Sequence, residues 1–97
     1  MKYEWDERKN KANIRKHGID FADAEEMFDG PMLVRADARE DYGEDRWLGI
    51  GMIAGRILAV AFTIRGADTI RIISLRRANQ YERNLYEEAI QDELGAH

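Results

Sequence analysis

The chain is predicted to be an α+β domain: an antiparallel sheet meander of about four strands, with two helices before it and one after. Three observations carry this. Arg46 to Ala54, Ile57 to Ile64 and Thr69 to Leu75 are apolar or alternating runs, joined by Ala54-Gly55-Arg56 and Arg65-Gly66-Ala67-Asp68, where glycine supplies the positive φ of a tight turn. Upstream, Asp6 and Asp20 each precede a stretch of helical periodicity. Downstream, Tyr81, Leu85 and Ala89 recur at i, i+4 and i+8, which predicts a helix from about Asn79 to Leu94 with those residues buried.

Taken in order, Lys2 to Trp5 reads as a short extended lead-in. Asp6 can accept from the first-turn amides of a helix over Arg8 to Lys16, Glu7 suits the positive end of its dipole, and Gly18 stops it. Ala12 offers little to a core, so Ile14 and the flanking Trp5 are expected to do most of the burying. Asp20 caps a second helix whose Phe21, Ala24, Met27 and Phe28 share a face, and Asp29-Gly30-Pro31 ends it. Met32 to Arg35 is a brief strand, and Asp37 to Asp45 an exposed loop with Gly43 at a turn.

Within Arg46 to Ala54, Leu48, Ile50 and Met52 fall on one side, with Trp47, Gly49, Gly51 and Ile53 on the other. The two glycines leave room for something large or mark a bulge. Ile57 to Ile64 is nearly uninterrupted apolar sequence, as a central strand covered on both faces requires. Strict alternation in Thr69 to Leu75 puts Ile70, Ile72 and Ser74 on one side and Arg71, Ile73 and Leu75 on the other. All three helices are expected on one face of the sheet or at its edge.

With 97 residues, 44% hydrophobic and 35% charged, the chain is long enough for a single domain spanning 1–97 with one modest core. There is no cysteine, which excludes disulfides and thiolate metal sites. No apolar run approaches the ~18 residues of a membrane span, and the first residues carry no apolar leader, so a cytoplasmic protein is expected.

The net charge of −4 conceals a division. Between Arg46 and Arg77 stand six arginines and one acid, Asp68, and residues 6–18, with five basic and two acidic residues, form a second basic segment. Acids gather in residues 20–45 and 78–97. Either the acids are solvated faces that keep a small protein soluble, or the basic segments converge on a polyanion while the acids face elsewhere.

The opening EWDERKNKANIRKHGIDFADAEEMF, the Gly43-Glu44-Asp45-Arg46 run and above all Ile70 to Ala78 followed by Tyr81-Glu82-Arg83 resemble the BrnT family of type II toxins. The resemblance runs in the same order over nearly the whole chain. It implies a RelE-like fold, an endoribonuclease activity that arrests translation, and a BrnA-type antitoxin. In that family the antitoxin carries a ribbon-helix-helix DNA-binding part, and operator DNA is reached only through the complex.

The chemistry can be weighed on the residues. RNA cleavage without a metal needs a base for the 2′-hydroxyl, cations for the charge on the pentavalent phosphate and an acid for the leaving 5′-oxygen. His17, at the end of the first helix, is a capping histidine or a general acid or phosphate contact; the Lys16-His17-Gly18 triplet matches the family's pattern and favours the second role. His97, the last residue, is expected to fray. Glu44 and Arg46, two apart at a strand start, form a base held beside a cation or a plain surface ion pair. Arg65, Arg76 and Arg77 lie at strand or loop ends, where arginine suits bidentate phosphate recognition, with pairing of Arg76 to Glu82 as the rival role. Arg71, among isoleucines, suits an ion pair. Tyr81 is a core residue or stacks on a base, Trp47 is similarly ambiguous, and Arg83 stands beside Tyr81 for RNA contact. No acid and histidine set has metal-ligand spacing, so neither a metal nor another cofactor is expected.

The resulting expectation is a ribonuclease toxin with Glu44 or His17 moving protons and Arg46, Arg65, Arg76 and Arg77 on the phosphate. The alternatives are a non-catalytic module whose basic face binds RNA or an acidic protein segment, and a purely structural interaction domain.

Overall fold

The structure, a computed structural model, describes residues 1–95. His97 lies outside them. In chain order the elements are β1 (Lys2–Trp5), α1 (Glu7–His17), a 3-10 turn (Phe21–Ala24), α2 (Glu25–Asp29), β2 (Leu33–Ala36), β3 (Trp47–Ile53), β4 (Arg56–Arg65), β5 (Thr69–Arg77) and α3 (Gln80–Gly95). The expected second helix is therefore a 3-10 turn running into one short helical segment. The α+β class holds, but the sheet has five strands in the order β1-β5-β4-β3-β2, and it is mixed.

The extra strand is the lead-in. β1 runs parallel to β5, with Tyr3 opposite Ile70 and Trp5 opposite Ile72, and Glu4 pairs with Arg71 at 2.6 Å. Tyr3 packs on Phe28 and Trp5 stands edge-on to Phe21, so the two aromatics cover the sheet where β5 would otherwise be an open edge. Four residues whose partner lies almost seventy positions away give no local strand signal.

β4 is the central strand, and Leu58 to Thr63 are buried without a break. On one side of the sheet, here the α2 face, Leu58, Val60, Phe62, Ile70, Ile72 and Leu75 form the main core with Ile19, Phe21, Ala24 and Met27. On the other, the α3 face, Ile50, Ala78 and Tyr86 form a smaller cluster, joined by Leu33, Ile57 and Ile90. The helices thus divide between the two faces, contrary to the one-sided arrangement expected. The long apolar run of β4 needs that division: a strand buried on both sides must have cover on both.

Gly49 and Gly51 sit on the α2 face, and methionines occupy the space. A Cβ on Gly49 would collide with Met32 Sδ and stand 3.3 Å from Val60, and one on Gly51 would meet Met27 and Met32 at 3.4 Å. Gly49→Val is accordingly expected to cost about 1–3 kcal/mol by overpacking, read as a lower denaturant midpoint at unchanged slope.

α1 follows the predicted caps: Asp6 accepts from the Arg8 and Lys9 amides, and Gly18 adopts the left-handed conformation with its N–H on Ile14 O. Its buried residues are not apolar. Asn10 and Asn13 face inward and Ile14 is 39% exposed. β1 stops at Ile72, so beyond it the β5 edge is bare, and α1 lies along it. The Asn13 carboxamide donates to Leu75 O (2.7 Å) and Ile19 O (3.1 Å) and accepts from Leu75 N–H (3.2 Å). One side chain thereby replaces a neighbouring strand at Leu75, which no isoleucine could do.

β5 also departs from strict alternation. Ala61 pairs with Ser74 but Phe62 pairs with Ile72, so Ile73 is an extra residue, a β-bulge. The bulge reverses parity. Leu75 joins Ile70 and Ile72 in the core instead of Ser74, and Arg76, opposite Ala59, turns to the α3 face with Arg71, while Arg77, opposite Leu58, turns to the α2 face.

α3 is rotated about one residue from its expected setting. Tyr81 is 60% exposed, and Glu82 and Tyr86 are buried. Two bonds draw that side in: Tyr86 O–H donates to Pro31 O at 2.9 Å, and Glu82 accepts from Arg76.

Candidate active site

The bulge decides which arginine meets the α3 face, and a carboxylate then fixes its position. Arg76 Nη1 and Nη2 donate to Glu82 Oε1 and Oε2 at 2.8 and 3.0 Å, and Nη1 also reaches Arg77 O. Glu82 caps its own helix as well: its Oε1 accepts from Asn79 N–H, while its N–H donates to Asn79 Oδ1. A buried side chain therefore links the start of α3 to the end of β5. The Arg76 guanidinium holds the Glu82 carboxyl below its ordinary range against the opposing effect of burial, and in return Arg76 is raised.

Arg76 borders a cavity of about 460 Å³ lined also by the end of β2, with Arg35, and the start of the loop after it, with Asp37 and Arg39. Asp37 is the loop's anchor. It accepts from Arg39 Nε and Nη2, each at 2.8 Å, and from Tyr42 O–H at 3.3 Å. Its N–H donates to Arg46 O across the base of the loop. The Asp37 side chain is 3% exposed while Arg39 is 67% exposed.

The Arg39 bonds lower the Asp37 carboxyl from 3.8 to about 2. A depressed carboxyl contributes stability above its unfolded pKa and loses it as pH falls through the folded one. The Asp37–Arg39 link is thus expected to be complete above about pH 4 and to be lost toward pH 2. Carboxyl NMR should give an Asp37 midpoint near 2, with the Arg39 amide signal following it. A midpoint near 4 would mean the pair is not formed.

From Asp37 the contacts run on along the sheet. The Arg46 guanidinium stacks over the Tyr42 ring at 4.0 Å. Arg46 donates to Glu44 at 3.2 Å, and Arg65 reaches the same carboxylate at 3.5 Å. Glu44, Arg46 and Arg65 are therefore one cluster at the β4 end nearest Thr63. Arg76 stands opposite Ala59, so the two clusters lie roughly 13 Å apart along the strand. Most of the arginines on this face have a carboxylate partner: Asp37, Glu44, Glu4 and Glu82 hold Arg39, Arg46 and Arg65, Arg71 and Arg76. The face is less strongly positive than its sequence suggests, and its cations are fixed in place.

Four of the predicted site residues are thus on one surface: Glu44, Arg46, Arg65 and Arg76. Tyr81 and Arg83 stand exposed on the first turns of α3, Arg83 bonded to Gln80 Oε1. His17 ends α1 at the β5 edge, half-buried and outside the network on the α3 face. Arg77 points to the α2 face, and Trp47 is half-buried there beside the core, with Phe62 as its cross-strand neighbour. Sequence reasoning missed Arg35, Asp37 and Arg39. It had the signal for Glu82, since Asn79 with an acid three residues on is a capping box. Nothing local marked Arg39 apart from the other charges of its loop.

Among the described residues, no three His, Cys, Asp or Glu side chains are grouped to hold a metal ion, and no helix is long and apolar enough to cross a membrane.

Comparison with known proteins identifies the family. Residues 5–82 match the family model described as the ribonuclease toxin BrnT of type II toxin-antitoxin systems. Among solved structures, the 1.1 Å crystal structure of the Brucella abortus ribonuclease toxin BrnT is 39% identical, with a TM-score of 0.64, covering 82% of this chain and 99% of that one. No curated protein matches. A family match over most of the chain, joined to a shared fold at this identity, has one meaning: the chain belongs to the BrnT family of ribonuclease toxins of type II toxin-antitoxin systems.

Proposed function

We propose that this chain is an endoribonuclease that cleaves RNA without a metal, by general acid and base chemistry, and so arrests translation. The observation that carries the reading is Arg76, turned by the bulge onto the α3 face, braced by buried Glu82 and bordering an open cavity. A guanidinium fixed before substrate arrives stabilises developing phosphate charge without reorganising. In this reading the RNA strand follows the α3 face from that cavity toward Glu44. Arg76 takes the scissile phosphate, with Arg46 and Arg65 on the strand beyond it. Glu44, between two cations on the loop that walls the cavity, is the proposed base; that role requires the loop to carry its carboxylate toward the phosphate on Arg76 when RNA binds, and His17, at the β5 edge, is the other group for proton transfer. Exposed Tyr81 stacks on a base, and Arg83 beside it adds a backbone contact.

A BrnA-type antitoxin with a ribbon-helix-helix part is the proposed partner. It covers this face, and the complex, not the toxin alone, reaches operator DNA. Purified protein should cleave RNA in excess chelator, and expression should arrest growth unless the antitoxin is co-expressed. Stoichiometric antitoxin should abolish cleavage. Loss of activity in chelator would overturn the metal-free mechanism, and RNA bound but left intact would make the chain a binding module. Glu44→Gln is expected to lower kcat with RNA affinity little changed. An unchanged kcat, with the loss found in His17→Gln instead, would transfer the role.

A further inference from the structure

We infer that Arg39 and Arg76 form a two-arginine clamp for one phosphate of a single RNA strand, with the loop from Asp37 to Arg46 as its second jaw. The inference rests on the RNA reading above and assigns a site residue on the side of the cavity opposite the sheet.

Both jaws are built alike. Each arginine is held from behind, through two nitrogens, by a carboxylate with almost no solvent exposure: Asp37 at 3% and the Glu82 side chain at 6%. Burying a carboxylate is costly unless it is fully paired, and an exposed ion pair adds little stability. A buried acid committed to a surface arginine is understandable when the arginine's position matters. Asp37 even takes a third donor, Tyr42 O–H, so the loop cannot turn Arg39 away without breaking several bonds.

The open sides of both guanidinium groups remain available. Among the described residues, Arg39 Nη1 and Arg76 Nε donate to nothing. Both cations line the one cavity, where the charge of Arg39 acts against that of Arg76, and Arg35 adds to the positive side of the same cavity. Three arginines against Asp37 and Glu82 leave an excess of one positive charge. One phosphodiester supplies the matching negative charge and oxygens for both forks.

The test uses the full chain and a 2′-O-methyl oligoribonucleotide, which binds but cannot be cut, titrated at several salt concentrations. Arg39→Ala should weaken binding about tenfold and make the slope of log K against log salt shallower by about 0.7, the loss of one phosphate contact on a single strand. Arg39→Lys should restore it only in part, because an ammonium keeps the charge but lacks the planar fork through which Asp37 fixes the head by two nitrogens. Asp37→Asn should give part of the same loss, and Arg56→Ala, at the start of β4 on the α2-face side of its alternation, none. Unchanged affinity and slope in a folded Arg39→Ala protein would overturn the clamp. If the wild type binds this oligonucleotide through Arg39 but cleaves no RNA, the clamp stands and the enzyme reading falls; if it binds none, both fall.

Discussion

Removing the Arg76 guanidinium is expected to lower RNA cleavage by about 10²–10³-fold, the usual effect of losing one preorganised donor to a developing oxyanion. The single variant Arg76→Ala also leaves Glu82 buried without its partner, which costs about 3–5 kcal/mol and would confuse lost chemistry with lost fold. The decisive protein is Arg76→Met with Glu82→Gln. Glutamine keeps an acceptor for the Asn79 amide, and removing both charges together spares the uncompensated carboxylate. It should melt near the wild type and cleave as poorly as Arg76→Ala. Full activity in this folded double variant would remove Arg76 from the reaction.

The second large effect is on stability. Asn13→Asp changes one group of nearly the same size, yet a carboxylate cannot donate to Leu75 O or Ile19 O and instead faces both carbonyls. Two lost buried bonds, with the acceptors left unsatisfied, are expected to cost about 3–5 kcal/mol. Denaturant unfolding should show this as a large drop in midpoint, eased at acid pH where the aspartate is protonated and can donate again. Asn13→Ala should cost somewhat less. A change within about 0.5 kcal/mol, the scale of an ordinary surface substitution, would mean that α1 does not close the β5 edge.

These two residues also mark what could be read in the sequence. Caps and turns were legible because their chemistry is local: Asp6, Gly18, Asp20, Gly55 and Gly66 act within a few residues of themselves. The central position of β4 was legible from its continuous apolar run, and the side of each β3 residue from its alternation. Asn13 was not, because Leu75, to which it makes two of its three bonds, lies 62 positions away and an asparagine inside a helix gives no sign of which backbone it will satisfy. The same distance hid β1.

The bulge at Ile73 had the largest consequence for the site. Four apolar positions in Ile70-Arg71-Ile72-Ile73-Ser74-Leu75 fit either parity, and only the pairing to β4 shows which residue is extra. Without it, Arg77 and not Arg76 would meet Glu82 and the cavity. Glu44, Arg46 and Arg65 were legible as strand-end charges, and the structure adds that one carboxylate serves both arginines. Arg39 was hidden because loop charges are usually solvated. Its significance comes from the burial of Asp37.

The most direct measurement is arginine side-chain NMR of the wild-type chain titrated with the 2′-O-methyl oligoribonucleotide. The Nε–H signal of Arg76 and the Nη–H signals of Arg39 are predicted to shift together and saturate at one equivalent, while those of Arg77, on the opposite face, stay in place. Shifts confined to Arg77 and the residues of α1, with Arg76 silent, would contradict a site on the α3 face.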